Sequence, residues 1–118
     1  MTVRSTLTRA AAGALLVNAV PHGVAGALGR PFPTPFADPP GVGLSGRAPN
    51  VAWSAANAAA GAVLIRGYDG SRRERMVLLA SGALAAAGLA AYFGRLDLRP
   101  ADERGRTSGL ISRQVLRA

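Results

Sequence analysis

The side chains best suited to chemistry in this 118-residue sequence are a single histidine, three asparagines and a serine, and they recur at helical spacing. Asn18 and His22 stand four apart, with Ala14 and Gly26 continuing the row, so a helix would carry all four on one face. Asn50, Ser54, Asn57 and Gly61 follow a spacing of four, three and four and form a second such row. An imidazole among carboxamides and a hydroxyl can hold a proton, a small polar solute or a polar headgroup. The same groups can instead bond across two helices and fix their register, at about 0.6 kcal/mol each. Asn18, His22, Asn50, Ser54 and Asn57 are therefore a candidate polar pocket or a structural seam, and spacing alone does not choose.

More demanding chemistry lacks its parts. The six carboxylates, Asp38, Asp69, Glu74, Asp97, Asp102 and Glu103, fall in stretches expected to be connections or tails. One histidine without any cysteine cannot close a metal site, and thiolate nucleophiles and disulfides are absent with the cysteines. The glycine-rich GVGLSG at 41–46 is not followed by the Lys-Ser or Lys-Thr of a phosphate-binding loop. The expectation is a protein without enzymatic activity, cofactor or metal.

The elements that must position these residues are marked by charge. The formal charge of +8 comes from fourteen arginines and no lysine against six acids. Arg9 and Arg30 enclose 20 uncharged residues, Arg47 and Arg66 enclose 18, and Arg75 and Arg95 enclose 19. A helix of about 20 residues rises ~30 Å, the thickness of a bilayer's hydrocarbon core. The arginines lie at the borders of these runs and form no continuous basic face, which disfavours nucleic acid as a partner and favours membrane lipid. The expected fold is an all-α membrane protein, one domain over 1–118, with three transmembrane helices at about 10–29, 48–65 and 76–94.

Along the chain, a basic tail leads into the first run. This is also how a secretory signal opens, with Ala25-Gly26-Ala27 as a possible cleavage site, but two further runs of spanning length favour a retained helix. Pro21 removes one helical hydrogen bond and predicts a kink. The connection at 30–47 alternates Pro31, Pro33 and Pro35 and then turns at Pro39-Pro40-Gly41, so an extended, stiff interfacial loop is expected. Phe32 and Phe36 on that loop, with Trp53 and Tyr92, are candidate interfacial anchors. The second run is weak, since its middle is SAANAAAGA and alanine contributes little to insertion; it is expected to enter as a hairpin with the third, through a basic loop at 66–75. In the third run Gly82, Ala86, Ala90 and Gly94 repeat every four residues and make a small-residue packing face. The tail at 95–118 has room for no further span; its end, with Leu110, Ile111, Val115 and Leu116 among Arg113 and Arg117, suits a short amphipathic helix on an anionic surface, or a frayed terminus.

With three spans, six arginines fall on the side of the amino terminus and eight on the other, so charge bias alone does not orient the chain. The crowding of Arg72, Arg73 and Arg75 in a short loop favours a cytoplasmic amino terminus and a multi-pass protein of the cell membrane. The polar residues and aromatic rings then gather in one leaflet, with His22 and Asn57 ~10 Å below the same surface, and the other half of the bundle is expected to be nearly featureless.

The block NAVPH, then GRPFPTPFADPPG, GLSG and NVAW, over roughly residues 15–65, resembles small integral membrane proteins of bacteria. The resemblance implies a membrane protein and carries no activity, cofactor or ligand. Three alanine-rich helices bury little volume alone, so the expected role is an accessory subunit packed against a larger membrane complex or against itself. The alternative is a homo-oligomeric protein that binds or transports a small solute or lipid headgroup around His22.

Overall fold

The computed structural model describes residues 1–116, so Arg117 of the expected amphipathic end lies outside the described residues. Four helices, α1 (Val3–Leu28), α2 (Arg47–Leu64), α3 (Arg72–Phe93) and α4 (Ala101–Val115), follow one another, with two short strands, β1 (Phe32–Pro33) and β2 (Leu44–Ser45), between α1 and α2. The chain is elongated, 67 × 28 × 22 Å.

α1 starts well before the charge border at Arg9. Thr2 caps it, its hydroxyl accepting from the Ser5 amide at 3.1 Å, and Arg4 and Arg9 are helical. The helix runs on through Pro21 as one element and stops at Gly29, whose φ of 65° is the left-handed conformation that glycine adopts without strain. There the Gly29 amide bonds to Gly26 O and the Arg30 amide to Ala25 O at 2.9 Å, the paired closure of a Schellman motif. This fixes where the chain leaves the helix, and it places Arg30 directly on the end of α1.

Between α1 and α2 the prolines exclude helix as expected, and the loop folds back on itself. Phe32 pairs with Ser45 and Pro33 with Leu44 in an antiparallel ladder. The hydroxyls of Thr34 and Ser45, both buried, meet at 2.6 Å, and Thr34 O accepts the amides of Ala37 and Gly41. Tyr92 at the end of α3 donates its hydroxyl to Gly41 O at 2.9 Å and ties the loop tip to the bundle.

α1 is the central helix. It packs antiparallel to α2 on one side and alongside α3 on the other, and α2 and α3 share no comparable interface. Small residues permit both contacts. Gly61 of α2 faces Leu16 and Ala12, Gly26 faces Val51, and Gly82 of α3 faces Val17 and Gly13. A Cβ on Gly13 would collide with the Ser81 hydroxyl and with the Leu78 carbonyl, which is backbone and cannot rotate away. Gly13→Ala is thus expected to lower stability by about 1–3 kcal/mol through overpacking. Gly88→Ala, where a Cβ meets nothing within 4 Å, should leave it unchanged or raise it by up to about 1 kcal/mol through helix propensity. Melting curves of the two variants, followed by helical circular dichroism, check the pair.

Two helices, α1 and α3, are long and apolar enough to cross a membrane, in place of the three expected. α2 falls short because a charge-free stretch is not the same as an apolar one: its middle is alanine interrupted by Ser54 and Asn57. α3 begins at Arg72, so Arg72, Arg73 and Arg75, expected in a loop, form its first turn. Gly94, expected to continue the small-residue face, follows the last helical residue as its cap. The tail is helical from Ala101, earlier than the apolar end that suggested a helix. Ahead of it Arg99 hydrogen-bonds Asp97 through its side chain and amide and holds that exposed carboxyl down at about 2. α4 makes no extensive contact with the other helices and leaves Leu110, Ile111 and Val115 exposed.

Candidate functional site

The two polar rows meet face to face along the α1–α2 contact. Asn18 donates its amide to Asn57 Oδ1 at 3.1 Å, Ser54 donates its hydroxyl to Ala19 O at 2.7 Å, and His22 Nδ1 lies 2.9 Å from Asn50 Oδ1. The structure thus brings all five candidate residues into one seam. Asn57 returns its own amide to Trp53 O at 2.8 Å.

Asn50 organises the upper end of this seam and is fully buried. Its Nδ2 faces three backbone carbonyls, those of Phe32 at 3.1 Å, Ser45 at 3.0 Å and Gly46 at 3.0 Å. A flipped carboxamide would set its oxygen against three other oxygens, so the orientation is decided by the chain itself. Oδ1 must then be the atom facing His22, and since it only accepts, His22 Nδ1 must carry a proton. One side chain therefore joins α1, both strands and the start of α2, and selects a histidine tautomer. Nitrogen-15 NMR of the imidazole is expected to show protonated Nδ1; an imidazole protonated only on Nε2 would contradict the arrangement.

Aromatic rings enclose the histidine. Phe32, Phe93 and Trp53 stand edge to face around it, with ring centroids at 5.3, 6.2 and 6.5 Å. Phe32 also packs against Phe93, with ring centroids 4.5 Å apart and planes tilted by 50°. Of the candidate anchors, Phe32 is thus turned inward, whereas Phe36 is 64% exposed and meets the Trp53 ring edge to face at 5.5 Å. Tyr92 holds the loop, as described, and remains partly exposed. His22, 2% exposed, is packed shut, and what stays open is the far end of the seam: Asn18, Asn57 and Trp53 line a cleft of about 490 Å³ toward Leu89 of α3.

No family model, curated protein or solved structure matches this chain. Function must therefore be argued from the chain's own geometry.

That geometry includes a second polar centre which spacing did not reveal, in the half expected to be featureless. Arg9 Nε and Glu74 Oε1 form an ion pair at 3.1 Å, with side chains only 6% and 9% exposed. The Arg9 guanidinium also donates to Leu64 O and Arg66 O, closing the carboxyl end of α2, where a cation complements the helix dipole. Glu74 lies in the first turn of α3, not in a connection, and its Oε2 accepts the Asp69 amide at 3.0 Å. A local signal for this residue did exist: Ser71-Arg72-Arg73-Glu74 reads as a helix-start capping box, and Ser71 Oγ does accept the Glu74 amide. No side-chain nitrogen or oxygen buried in either centre lacks a partner among the described residues.

Proposed function

We propose that this chain is a small multi-pass membrane protein that works as an accessory subunit, without catalysis, packed against a larger membrane complex. One observation carries the reading: the molecule is polar inside and apolar outside. Its buried apolar side chains among the described residues are small, Ala12, Ala19, Ala25 and Pro33, while Arg9, His22, Thr34, Ser45, Asn50, Asn57 and Glu74 are buried polar ones. α3, the most apolar helix, buries 6% of its spanning stretch and leaves Leu79 and Leu84 at 69% and 75% exposure. In water such a surface is unfavourable at about 25 cal/mol per Å²; in hydrocarbon it is not.

In this reading all three long helices cross, α2 entering with its polar row already satisfied by α1. Its outer face, with Ala52, Ala55, Ala56 and Ala59 exposed, gains little from acyl chains and lets another helix approach closely, which suits a protein neighbour. Arg66 in the α2–α3 connection, with Arg72, Arg73 and Arg75 in the first turn of α3, favours a cytoplasmic amino terminus. Flotation after carbonate extraction, then native mass in mild detergent, tests the proposal. Retention in membranes and co-purification with other subunits in fixed ratio support it; release by carbonate overturns the membrane reading, and a lone monomer overturns the subunit reading.

The cleft at Asn18 and Asn57 favours one second reading, a homo-oligomer that binds or transports a small solute or headgroup. A defined homo-oligomer in the same measurement would support it over the first.

A further inference from the structure

A cavity of about 690 Å³ adjoins the end of the polar seam and shares Phe32 with it, walled by Val24, Leu28 and Phe32 and roofed by Leu98 and Pro100 where the chain turns into α4. Its volume falls within the roughly 300–1,000 Å³ typical of small-ligand sites. Two charged residues stand in its lining, Arg30 and Glu103.

Arg30 is the informative one. It follows the Schellman turn that ends α1, so in a spanning α1 it stands where hydrocarbon gives way to headgroups. Its side chain is exposed at the cavity rim. Arg47 brings a second guanidinium to the same end: a Cβ on Gly29 would meet its Nη2 at 2.7 Å. Below Arg30, Val24 and Leu28 are 52% and 59% exposed along the cavity wall. A guanidinium at the rim of an apolar trough, with a second at the same end of α1, matches a molecule with a phosphate at one end and a hydrocarbon chain behind it.

We propose that this cleft binds one anionic phospholipid, its phosphate on Arg30 and one acyl chain along Val24, Leu28 and Phe32, beneath the entry to α4. The site rests on the membrane reading but not on the accessory role. It also gives α4 a reason for its place: Leu98 and Pro100 complete the trough, and the amphipathic helix that follows lies along the headgroups.

The test is native mass spectrometry of the full chain in detergent, titrated separately with phosphatidylglycerol, with phosphatidylcholine and with inorganic phosphate. One phosphatidylglycerol per chain is expected to survive release, held at least about tenfold more tightly than phosphatidylcholine, whose phosphate is the same but whose trimethylammonium would be repelled by the Arg30 guanidinium. Arg30→Gln should lose that preference, and Leu28→Trp, which fills the trough from an exposed position, should lose the lipid while the melting curve stays that of the parent. Equal retention of the two lipids, binding of phosphate without lipid, or both variants binding as the parent does would each overturn the site. A chain that floats with bilayers but retains no phosphatidylglycerol defeats this proposal alone; a chain soluble without detergent defeats the membrane reading beneath it.

Discussion

Replacing Arg9 with alanine is expected to lower stability by about 3–5 kcal/mol, the largest loss from any single substitution outside the polar seam. The size follows from what stays behind. Glu74, 7% exposed in the parent, would keep its charge facing the vacated space, and the carbonyls of Leu64 and Arg66 would lose their donor. The cost is therefore mainly that of an uncompensated buried carboxylate, which exceeds the net worth of the pair itself. Glu74→Gln should cost less, about 1.5–3 kcal/mol, because an amide oxygen can still accept from Arg9 Nε or from the Asp69 amide while the attraction between charges is gone.

The double variant Arg9→Met with Glu74→Leu separates the explanations. If charge burial dominates, it should recover more than half of what Arg9→Ala loses, although α2 keeps uncapped carbonyls. If capping dominates, it should recover almost none. Thermal melting of the detergent-solubilised protein, read by helical circular dichroism, gives all three values. An Arg9→Ala variant within about 1 kcal/mol of the parent would mean that the pair behaves as a solvated surface bridge.

Why the seam was legible in the sequence and this ion pair was not follows from the range of each signal. Asn18 with His22, and Asn50 with Ser54 and Asn57, declare their faces through spacing within a single helix, and two short polar rows in adjacent helices have few ways to be satisfied except by each other. The prolines excluded helix between α1 and α2 for an equally local reason. Arg9 and Glu74 are 65 residues apart, and each stood at the border of a run, where an outward-facing charge is the usual arrangement. Only the place where the ends of three helices converge turns both inward. The same limit explains the helix boundaries: arginines end an apolar stretch without ending a helix, so α1 extends to Val3 and α3 back to Arg72. It also explains α2, where absence of charge marked a helix of the right length but not one of sufficient apolarity. The cleft at Arg30 had no local signature, since its roof comes from residues some 70 positions further on.

The second large effect belongs to Asn50. Asn50→Asp changes one atom of the side chain and almost none of its shape, yet it replaces the donating Nδ2 with an oxygen. The carbonyls of Phe32, Ser45 and Gly46 would then face a further oxygen instead of a shared donor, and no water has room to intervene at a residue that is fully buried. With roughly 1–3 kcal/mol for each buried polar group left unsatisfied, a loss of about 3 kcal/mol or more is expected. It should fall first on the loop, because both strands and the start of α2 hang on that amide. Limited proteolysis between Thr34 and Gly43 should therefore accelerate before helical circular dichroism declines. Asn50→Ala should lose less than Asn50→Asp, since it removes the donor without adding an acceptor. If Asn50→Asp instead proved as stable as the parent, Nδ2 would not be the atom facing the three carbonyls. The carboxamide would then be reversed, and the tautomer assigned to His22 would reverse with it, because a donating Asn50 amide requires an unprotonated Nδ1.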